Sequence, residues 1–327
     1  ELIITDVVID DASTSFTVTA IDTNVFLNAT ALTSVTIPAL ITDIGASAFS
    51  NSTSLADITI SGSTIPTVAA DSFSNINPTF NVSFNDLKYM KGVSTNSVVG
   101  NNSAMTTIPT ILQTVPMFDT TNVTEFGANA FKDYTSLGAV AIPSFITSIG
   151  SAAFSGVTSI ADITIPATIT DIGATAFSGA TSLADITIEG STVPTVAADS
   201  FSNINPTFNV TFDNLIYNKG VSNTSVIGND ISMVGATPTI SETVPLFDTT
   251  NVTNIGANAF KDYLGITSTI IPESITSIGA SAFSGATSLD TIRILGTTIP
   301  VSASDSFTNI SPSFDVIFNK IRYNKRV

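Results

Sequence analysis

The chain has 327 residues, of which 43% are hydrophobic and 11% charged, and its formal net charge is −16. A negative charge of this size repels phosphate backbones, so nucleic acid is not an expected partner. The chain has no Cys, His or Trp, which excludes disulfide frameworks, Cys/His zinc sites and Ser-His-Asp triads.

A six-residue phrase, Ile-Gly-x-x-Ala-Phe, recurs along the chain and marks an internal repeat. Its clear and weaker copies end at Phe26, Phe49, Phe73, Phe131, Phe154, Phe177, Phe201, Phe260, Phe283 and Phe307. Successive Phe residues are 23 or 24 positions apart, except across two longer intervals, from Phe73 to Phe131 (58) and from Phe201 to Phe260 (59). A period of this length predicts a solenoid, in which each unit buries its apolar side chains against its neighbours.

The repeat that starts near residue 160 shows how one unit is expected to fold. Residues 162–165 (DITI) alternate between polar and apolar, which predicts a short strand with one buried face, and Pro166 ends it. A second extended piece follows at 169–172. Gly173 is expected to allow the turn, because glycine adopts backbone angles that other residues avoid. We expect Phe177 to lie on a short helical turn and to belong to the core.

These residues resemble the BspA-like leucine-rich repeats of bacterial surface proteins. The family pattern runs L-x-x-I-x-I-P, then V-T-x-I-G-x-x-A-F-x-x-C-x-x-L, and residues 160–183 match it closely. The resemblance implies a leucine-rich-repeat solenoid of the α/β horseshoe-like type, with short parallel strands and short helical turns. Small or aromatic residues stand where the family has Cys, namely Ala29, Ser52, Tyr134, Val157, Ala180, Tyr263 and Ala286.

The long intervals divide the chain into blocks. We predict leucine-rich-repeat units over 1–84, 127–212 and 256–327. Between them we predict two segments, 85–126 and 213–255, each a β-hairpin-type insert followed by an irregular unit. The inserts resemble each other (NDLKYMKGVSTNSVVG at 85–100, NLIYNKGVSNTSVIG at 214–228), and the chain ends at the start of a third such hairpin.

Four acidic residues are expected at equivalent outward positions of the strands: Asp57, Asp162, Asp185 and Asp290. Stacking of adjacent units would bring two of these carboxylates to roughly 5 Å, which leaves a calcium ladder, paired catalytic carboxylates and a solvated acidic stripe as interpretations. A Thr-rich open face lacks the apolar cleft that raises the pKa of a catalytic acid. The solvated stripe is therefore favoured, with no enzyme activity, cofactor or metal.

All five tyrosines fall in two motifs next to basic residues. Tyr-x-Lys occurs at Tyr89/Lys91, Tyr217/Lys219 and Tyr323/Lys325, and Lys-Asp-Tyr ends at Tyr134 and Tyr263. Tyrosine beside a cation suits protein or glycan recognition, so Tyr89, Lys91, Tyr217 and Lys219 are the candidate partner-binding residues. The alternative is that the rings fill the core. The alternative is favoured for all of them, more strongly for Tyr134 and Tyr263, since these stand where the regular stack breaks, than for the hairpin tyrosines.

The leading function is a non-enzymatic secreted or cell-surface protein that mediates adhesion or protein/glycan binding. Its expected partners are host or neighbouring-cell surface proteins, matrix or glycans. No apolar run of about 18 residues occurs, so no membrane insertion is expected, and neither a signal nor an anchor pattern is visible in this sequence. The alternative is a passive structural spacer of a larger surface protein.

Overall fold

The structure, a computed structural model, describes residues 2–4, 7–9, 15–222, 224–228 and 239–324. The chain forms two compact units. Unit 1 comprises Glu1–Ser159, Asp171–Ala180 and Ala197–Ser202, and unit 2 comprises Ile160–Thr170, Thr181–Val196 and Asn203–Val327. Within the described ranges there is no helix long and apolar enough to cross a membrane.

All regular elements in the described ranges are short strands. In chain order they are β1 (Leu2–Ile3), β2 (Val7–Ile9), β3 (Ser15–Thr17), β4 (Ala20–Ile21), β5 (Ser34–Ile37), β6 (Asp43–Ile44), β7 (Asp57–Ile60), β8 (Thr67–Val68), β9 (Phe80–Phe84), β10 (Leu87–Lys91), β11 (Asn96–Gly100), β12 (Thr114–Val115), β13 (Phe118–Asn122), β14 (Glu125–Phe126), β15 (Ser148–Ile149), β16 (Asp162–Ile165), β17 (Asp171–Ile172), β18 (Asp185–Ile188), β19 (Thr195–Val196), β20 (Phe208–Phe212), β21 (Leu215–Lys219), β22 (Thr224–Gly228), β23 (Thr243–Val244), β24 (Phe247–Asn251), β25 (Asn254–Ile255), β26 (Ser268–Ile271), β27 (Ser277–Ile278), β28 (Thr291–Ile294), β29 (Val301–Ser302), β30 (Asp315–Phe318) and β31 (Ile321–Asn324).

A regular repeat consists of one four-residue strand, one two-residue strand and a series of tight turns. In unit 1, β5 points Val35 and Ile37 into the core and its other two side chains outward. The chain turns after Pro38, and β6 follows with Ile44 buried. The next repeat pairs in parallel with this one, β5 with β7 and β6 with β8. This is a β-solenoid, because the strands of the regular repeats pair in parallel with strands one repeat away.

The Phe column is the centre of the solenoid. Phe154 is fully buried in unit 1 and stacks between Phe131 and Phe177, with ring centroids 5.3 Å away on both sides. Unit 2 has the same stack through Phe260, Phe283 and Phe307. The predicted core position of these residues is confirmed.

The predicted short helical turns are not present in the described ranges, where consecutive tight turns stand in their place. In one repeat, Ala48, Ser50 and Ser52 each donate their N–H to the carbonyl three residues earlier. In the same turns, Ser47 and Asn51 adopt left-handed φ angles of 53° and 60°. A left-handed residue ends a right-handed helix. The same two positions, two residues before and two residues after the column Phe, are left-handed in the other repeats, except that only the second is left-handed in the repeat of Phe307. The turn therefore does not extend into a helix.

The recurring glycines have a different role from the one expected. Gly45, Gly150, Gly173 and Gly279 do not have left-handed φ angles. A Cβ atom at Gly150 would lie 2.7 Å from the backbone nitrogen of Ala128 in the preceding repeat, and one at Gly173 would lie 2.5 Å from that of Ser151. Glycine is therefore needed because consecutive turns approach each other closely, not because of its backbone angle.

The two predicted hairpin inserts are integral strands of the solenoid sheets. In unit 1, β9, β10 and β11 form an antiparallel meander, whose first strand pairs in parallel with β7 and whose last strand pairs in parallel with β14. In unit 2, β20, β21 and β22 repeat this arrangement between β18 and β25. The turn at Asn85 and Asp86 has left-handed φ at both residues, as in a tight two-residue hairpin. The predicted boundary at 85 therefore falls inside a strand pair.

Candidate binding surface

Tyr89 and Tyr217 lie on the buried face of the meanders. Each is 0% exposed, and each is in register with an inward valine on the preceding strand, Val82 and Val210 respectively. This burial fits the alternative in which the rings fill the core and does not fit a direct contact of the rings with a partner. The side chains alternate along β10 and β21, and Tyr occupies an inward position of that alternation.

The buried tyrosine hydroxyls hold the segments that follow the meanders. The Leu112 N–H donates to Tyr89 Oη over 3.1 Å, and the Ser241 N–H donates to Tyr217 Oη over 3.2 Å. Burial raises the pKa of both phenols above 10.0, and these donated hydrogen bonds oppose the increase. Both tyrosines are thus structural residues that attach an irregular segment to the sheet.

Tyr134 and Tyr263 fill the core, as predicted. Both are buried, and each meets its column Phe edge-to-face, with centroids 5.7 Å apart for Phe131 and 6.0 Å apart for Phe260. Burial raises the pKa of Tyr134, with a smaller contribution from the negative charge of Asp86. Of the third Tyr-x-Lys motif, Tyr323 is described and exposed, whereas Lys325 lies outside the described residues.

Lys91 and Lys219 are half-buried at the ends of β10 and β21. Their Nζ atoms donate to the carbonyl oxygens of Gly92, over 2.9 Å, and Gly220, over 2.7 Å. In unit 1, Lys91 also lines a surface groove of about 450 Å³ together with Glu125. The lysines retain an exposed part, so a role in partner contact stays a prediction for them.

The most exposed apolar side chains near these lysines are two valines that the sequence reasoning did not select. Val93 is 87% exposed and Val221 is 83% exposed. They occupy equivalent positions, two residues after Lys91 and Lys219, at the turn that leaves β10 or β21. We call residues 91–95 and 219–222 the meander tips. The repeated Lys-Gly-Val-Ser phrase was the available signal.

The outward face of each sheet is polar and hydrogen-bonded across strands. Asp57 accepts a bond of 2.9 Å from Asn81 and has Lys88 Nζ at 3.8 Å. Asp185 accepts a bond of 2.8 Å from Asn209 on the next strand. The outward threonines are also in register, for example Thr36 with Thr59 and Thr164 with Thr187. The carboxylates of Asp57 and Asp185 are thus partly satisfied by amides.

The acidic column differs in detail from the prediction. Asp162 and Asp185 are in register on paired strands, but Asp290 lies outside the column, because Thr291 occupies the pairing position opposite Asp315. Asp290 instead accepts hydrogen bonds from Ser311 and Ser313, which lower its pKa. In the part of the chain that the structure describes, no three acidic side chains converge in a way that could hold a metal ion.

A further repeated motif holds the irregular units in place. Thr-Val-Pro-x-Phe-Asp-Thr-Thr-Asn occurs at 114–122 and at 243–251, and each copy folds into a bulged antiparallel pair, β12 with β13 or β23 with β24. The Phe118 ring lies 4.3 Å from that of Phe80, and the Phe247 ring lies 4.4 Å from that of Phe208. The two copies of this motif were visible in the sequence, and in the structure each packs its Phe ring against the first strand of a meander.

Three matches to the BspA-type leucine-rich repeat region model, which contains six copies of the repeat, span residues 8–117, 115–225 and 247–323. No curated protein matches this sequence.

Similar solved structures share low sequence identity with the chain. A leucine-rich cell surface protein from Faecalibacterium prausnitzii is 23% identical, over 94% of this chain and 78% of its own, with a TM-score of 0.28. A leucine-rich repeat protein from Bacteroides ovatus is 20% identical, over 94% and 84%, with a TM-score of 0.29. One from Eubacterium ventriosum is 19% identical, over 93% and 85%, with a TM-score of 0.26. At these TM-scores the neighbours carry no argument about function.

The family model, by contrast, covers most of the chain, and it agrees with the repeat phrase and with the stacked units. The chain belongs to the BspA-type leucine-rich repeat family.

Proposed function

We propose that this protein is a non-enzymatic secreted or cell-surface protein that binds an extended protein partner through its meander tips and the adjoining outward sheet face. Membership of the BspA-type family supports a surface location and a binding scaffold. The observation that carries the binding site is the exposure of Val93 and Val221 at equivalent tips, each close to a lysine.

An exposed valine is costly in water unless a partner covers it, because apolar surface is stabilised by burial. A single exposed apolar residue is common on protein surfaces, but here the same residue is exposed at the same position in both meanders. Two such tips offer two similar contacts along one chain, so weak binding at each could combine through avidity. The polar side chains of the outward sheet face suit a broad contact more than they suit a small molecule, whose sites are mostly apolar.

The experiment is a binding screen against arrays of matrix and cell-surface proteins, with glycans included. The test variant is Val93→Asp/Val221→Asp, and the matched control is Leu40→Asp/Leu295→Asp, which makes the same kind of change at exposed residues away from the tips. We expect at least one protein on the arrays to bind the wild type and the control variant but not the tip variant. Equal binding by both variants contradicts the tip assignment, and binding only to glycans contradicts a protein partner.

The second candidate is a passive spacer of a larger surface protein. The observation in its favour is the regular column of outward threonines, in register from strand to strand, since a uniform face offers no distinct contact site. Absence of wild-type binding across the whole screen supports the spacer and rejects the binding proposal.

A further inference from the structure

Unit 2 contains an apolar cavity of about 310 Å³ next to its last described hairpin. The wall includes Ile292 and Ile294 of β28, Val316 of β30, and the rings of Phe307 and Phe314. Ser302 of β29 supplies one of the few polar groups in the lining. The cavity is thus open on one side and is lined by inward side chains of the repeat core and by two aromatic rings.

The corresponding positions of the earlier repeats carry an aromatic ring from the irregular unit. Phe307 and Phe314 correspond to Phe73 and Phe80 in unit 1. There, the Phe118 ring lies 5.4 Å from Phe73 and 4.3 Å from Phe80. In unit 2, Phe247 makes the same contact with Phe208, the counterpart of Phe80. The residues around this cavity are therefore equivalent to residues that contact the Phe of a Thr-Val-Pro-x-Phe segment elsewhere in the chain.

At the adjoining hairpin, Tyr323 is exposed where its counterparts Tyr89 and Tyr217 are buried. It is in register with Val316, as Tyr89 is with Val82. Tyr89 and Tyr217 are fully buried and receive a backbone N–H, whereas Tyr323 is 52% exposed. The surface beside the cavity thus presents an aromatic ring and a hydroxyl acceptor, both of which the equivalent sites use to hold an extended segment.

We propose that this cavity and Tyr323 form a binding site for an extended peptide of the pattern Thr-Ile-x-x-Thr-Val-Pro-x-Phe-Asp-Thr-Thr-Asn. Its Phe enters the cavity against Phe307 and Phe314, and a backbone N–H near its first Ile donates to Tyr323 Oη. Residues 110–122 and 239–251 both fit this pattern, so the chemistry of the ligand is defined by the occupants of the two equivalent sites. The inference does not depend on the proposed function, because it concerns a different surface.

The direct test titrates the full chain against a fluorescent synthetic peptide with the sequence of residues 239–251 and follows fluorescence anisotropy. The control peptide carries Phe247→Ala. Two protein variants form a matched pair: Ser302→Trp fills the cavity, and Val301→Trp places the same ring on the neighbouring residue, which is 77% exposed and does not line the cavity. Thermal unfolding of both variants establishes that they are folded.

We expect saturable binding of the peptide to the wild type and to Val301→Trp, and binding at least about tenfold weaker for the Ala peptide and for Ser302→Trp, because a buried aromatic anchor dominates such contacts. No saturable binding to wild type overturns the proposal, as does equal binding of both peptides or equal loss in both variants. If the protein alone self-associates through this cavity, and Ser302→Trp abolishes that association without any peptide binding, the occupant is a second copy and the peptide proposal is wrong.

Discussion

Glycine in the Ile-Gly-x-x-Ala-Phe phrase shows how one absent methyl group controls the spacing between repeats. The backbone of one turn passes so close to the next that a Cβ atom has no room, as the 2.7 Å approach at Gly150 shows. Hydrogen bonds join the same turns across this close approach, for example from the Gly150 N–H to the Phe126 carbonyl over 2.8 Å. Any side chain at this position therefore disturbs both the packing and the bonding between two repeats.

Gly150→Ala should lower the free energy of unfolding by about 1–3 kcal/mol, because the added methyl group overlaps with backbone atoms that cannot rotate away. Gly138→Ala is the matched control, since a Cβ there meets no atom within 4 Å, and its effect should stay within about 0.5 kcal/mol. Urea denaturation of both variants provides the measurement. Equal stability of the two variants would refute the close-approach explanation.

The buried phenols Tyr89 and Tyr217 should ionise late in an alkaline titration. Burial raises their folded-state pKa above the unfolded value of 10.0, so their contribution to stability is fully present below pH 10 and is lost as pH rises through the folded-state pKa. Absorbance of the phenolate at 295 nm should show a late component in native protein that is reduced in Tyr89→Phe/Tyr217→Phe. A native titration with the same midpoint as protein in urea would contradict the burial of these rings.

At the scale of elements, strand pairing and the Phe stack join the repeats. A two-residue strand such as β6 has little stability alone, and it persists because it is paired with the strands one repeat away on both sides. The aromatic rings add a continuous buried column with centroid distances of 5.0–5.3 Å within each regular block. Removing one ring therefore affects two interfaces.

Phe154→Ala should reduce the free energy of unfolding by about 3–5 kcal/mol, because it leaves a cavity between Phe131 and Phe177. Phe16→Ala, at a position that is more than half exposed, is the control and should cost much less. Thermal and urea unfolding of the two variants test the difference. A small loss for Phe154→Ala would mean that the stack contributes little to stability.

At the scale of the whole molecule, the net charge of −16 opposes the compact state by self-repulsion. Acidic side chains on paired strands, such as Asp162 opposite Asp185, contribute to this repulsion. Dissolved salt screens such exposed charges. A response to calcium must therefore be separated from a response to ionic strength.

The melting temperature should rise modestly with sodium chloride, and calcium chloride at the same ionic strength should give no additional rise. Two adjacent carboxylates supply too few of the 6–8 oxygen ligands that calcium takes, and Asp185 already accepts a hydrogen bond from Asn209. Scanning calorimetry with each salt, and with a chelator, is the measurement. A rise of several degrees specific to calcium that disappears in Asp185→Asn would establish the ladder that we do not expect.

The repeat, its period, the buried Phe column and the membership of the family followed from the sequence, because a solenoid repeats the same local contacts and each contact leaves the same residue at the same interval. Tyr134 and Tyr263 were placed correctly for the same reason. Register and direction of pairing depend on contacts between distant segments, so the antiparallel meanders were taken for inserts. The error at Asp290 is different, because Asp290 follows the repeat leucine by one residue and Asp185 follows it by two, and the sequence already shows this offset.

Tyr89 and Val93 show the same limit at the candidate site. Tyr89 lies within β10, where pairing with β9 and β11 turns it inward, whereas Val93 lies beyond the end of β10 in the turn before β11. The segment around Leu112 then covers the tyrosine, while no described segment covers the valine at the tip. Residue type made the tyrosine a candidate contact, but a segment 23 residues away buries it and makes it a core residue, while the valine stays exposed.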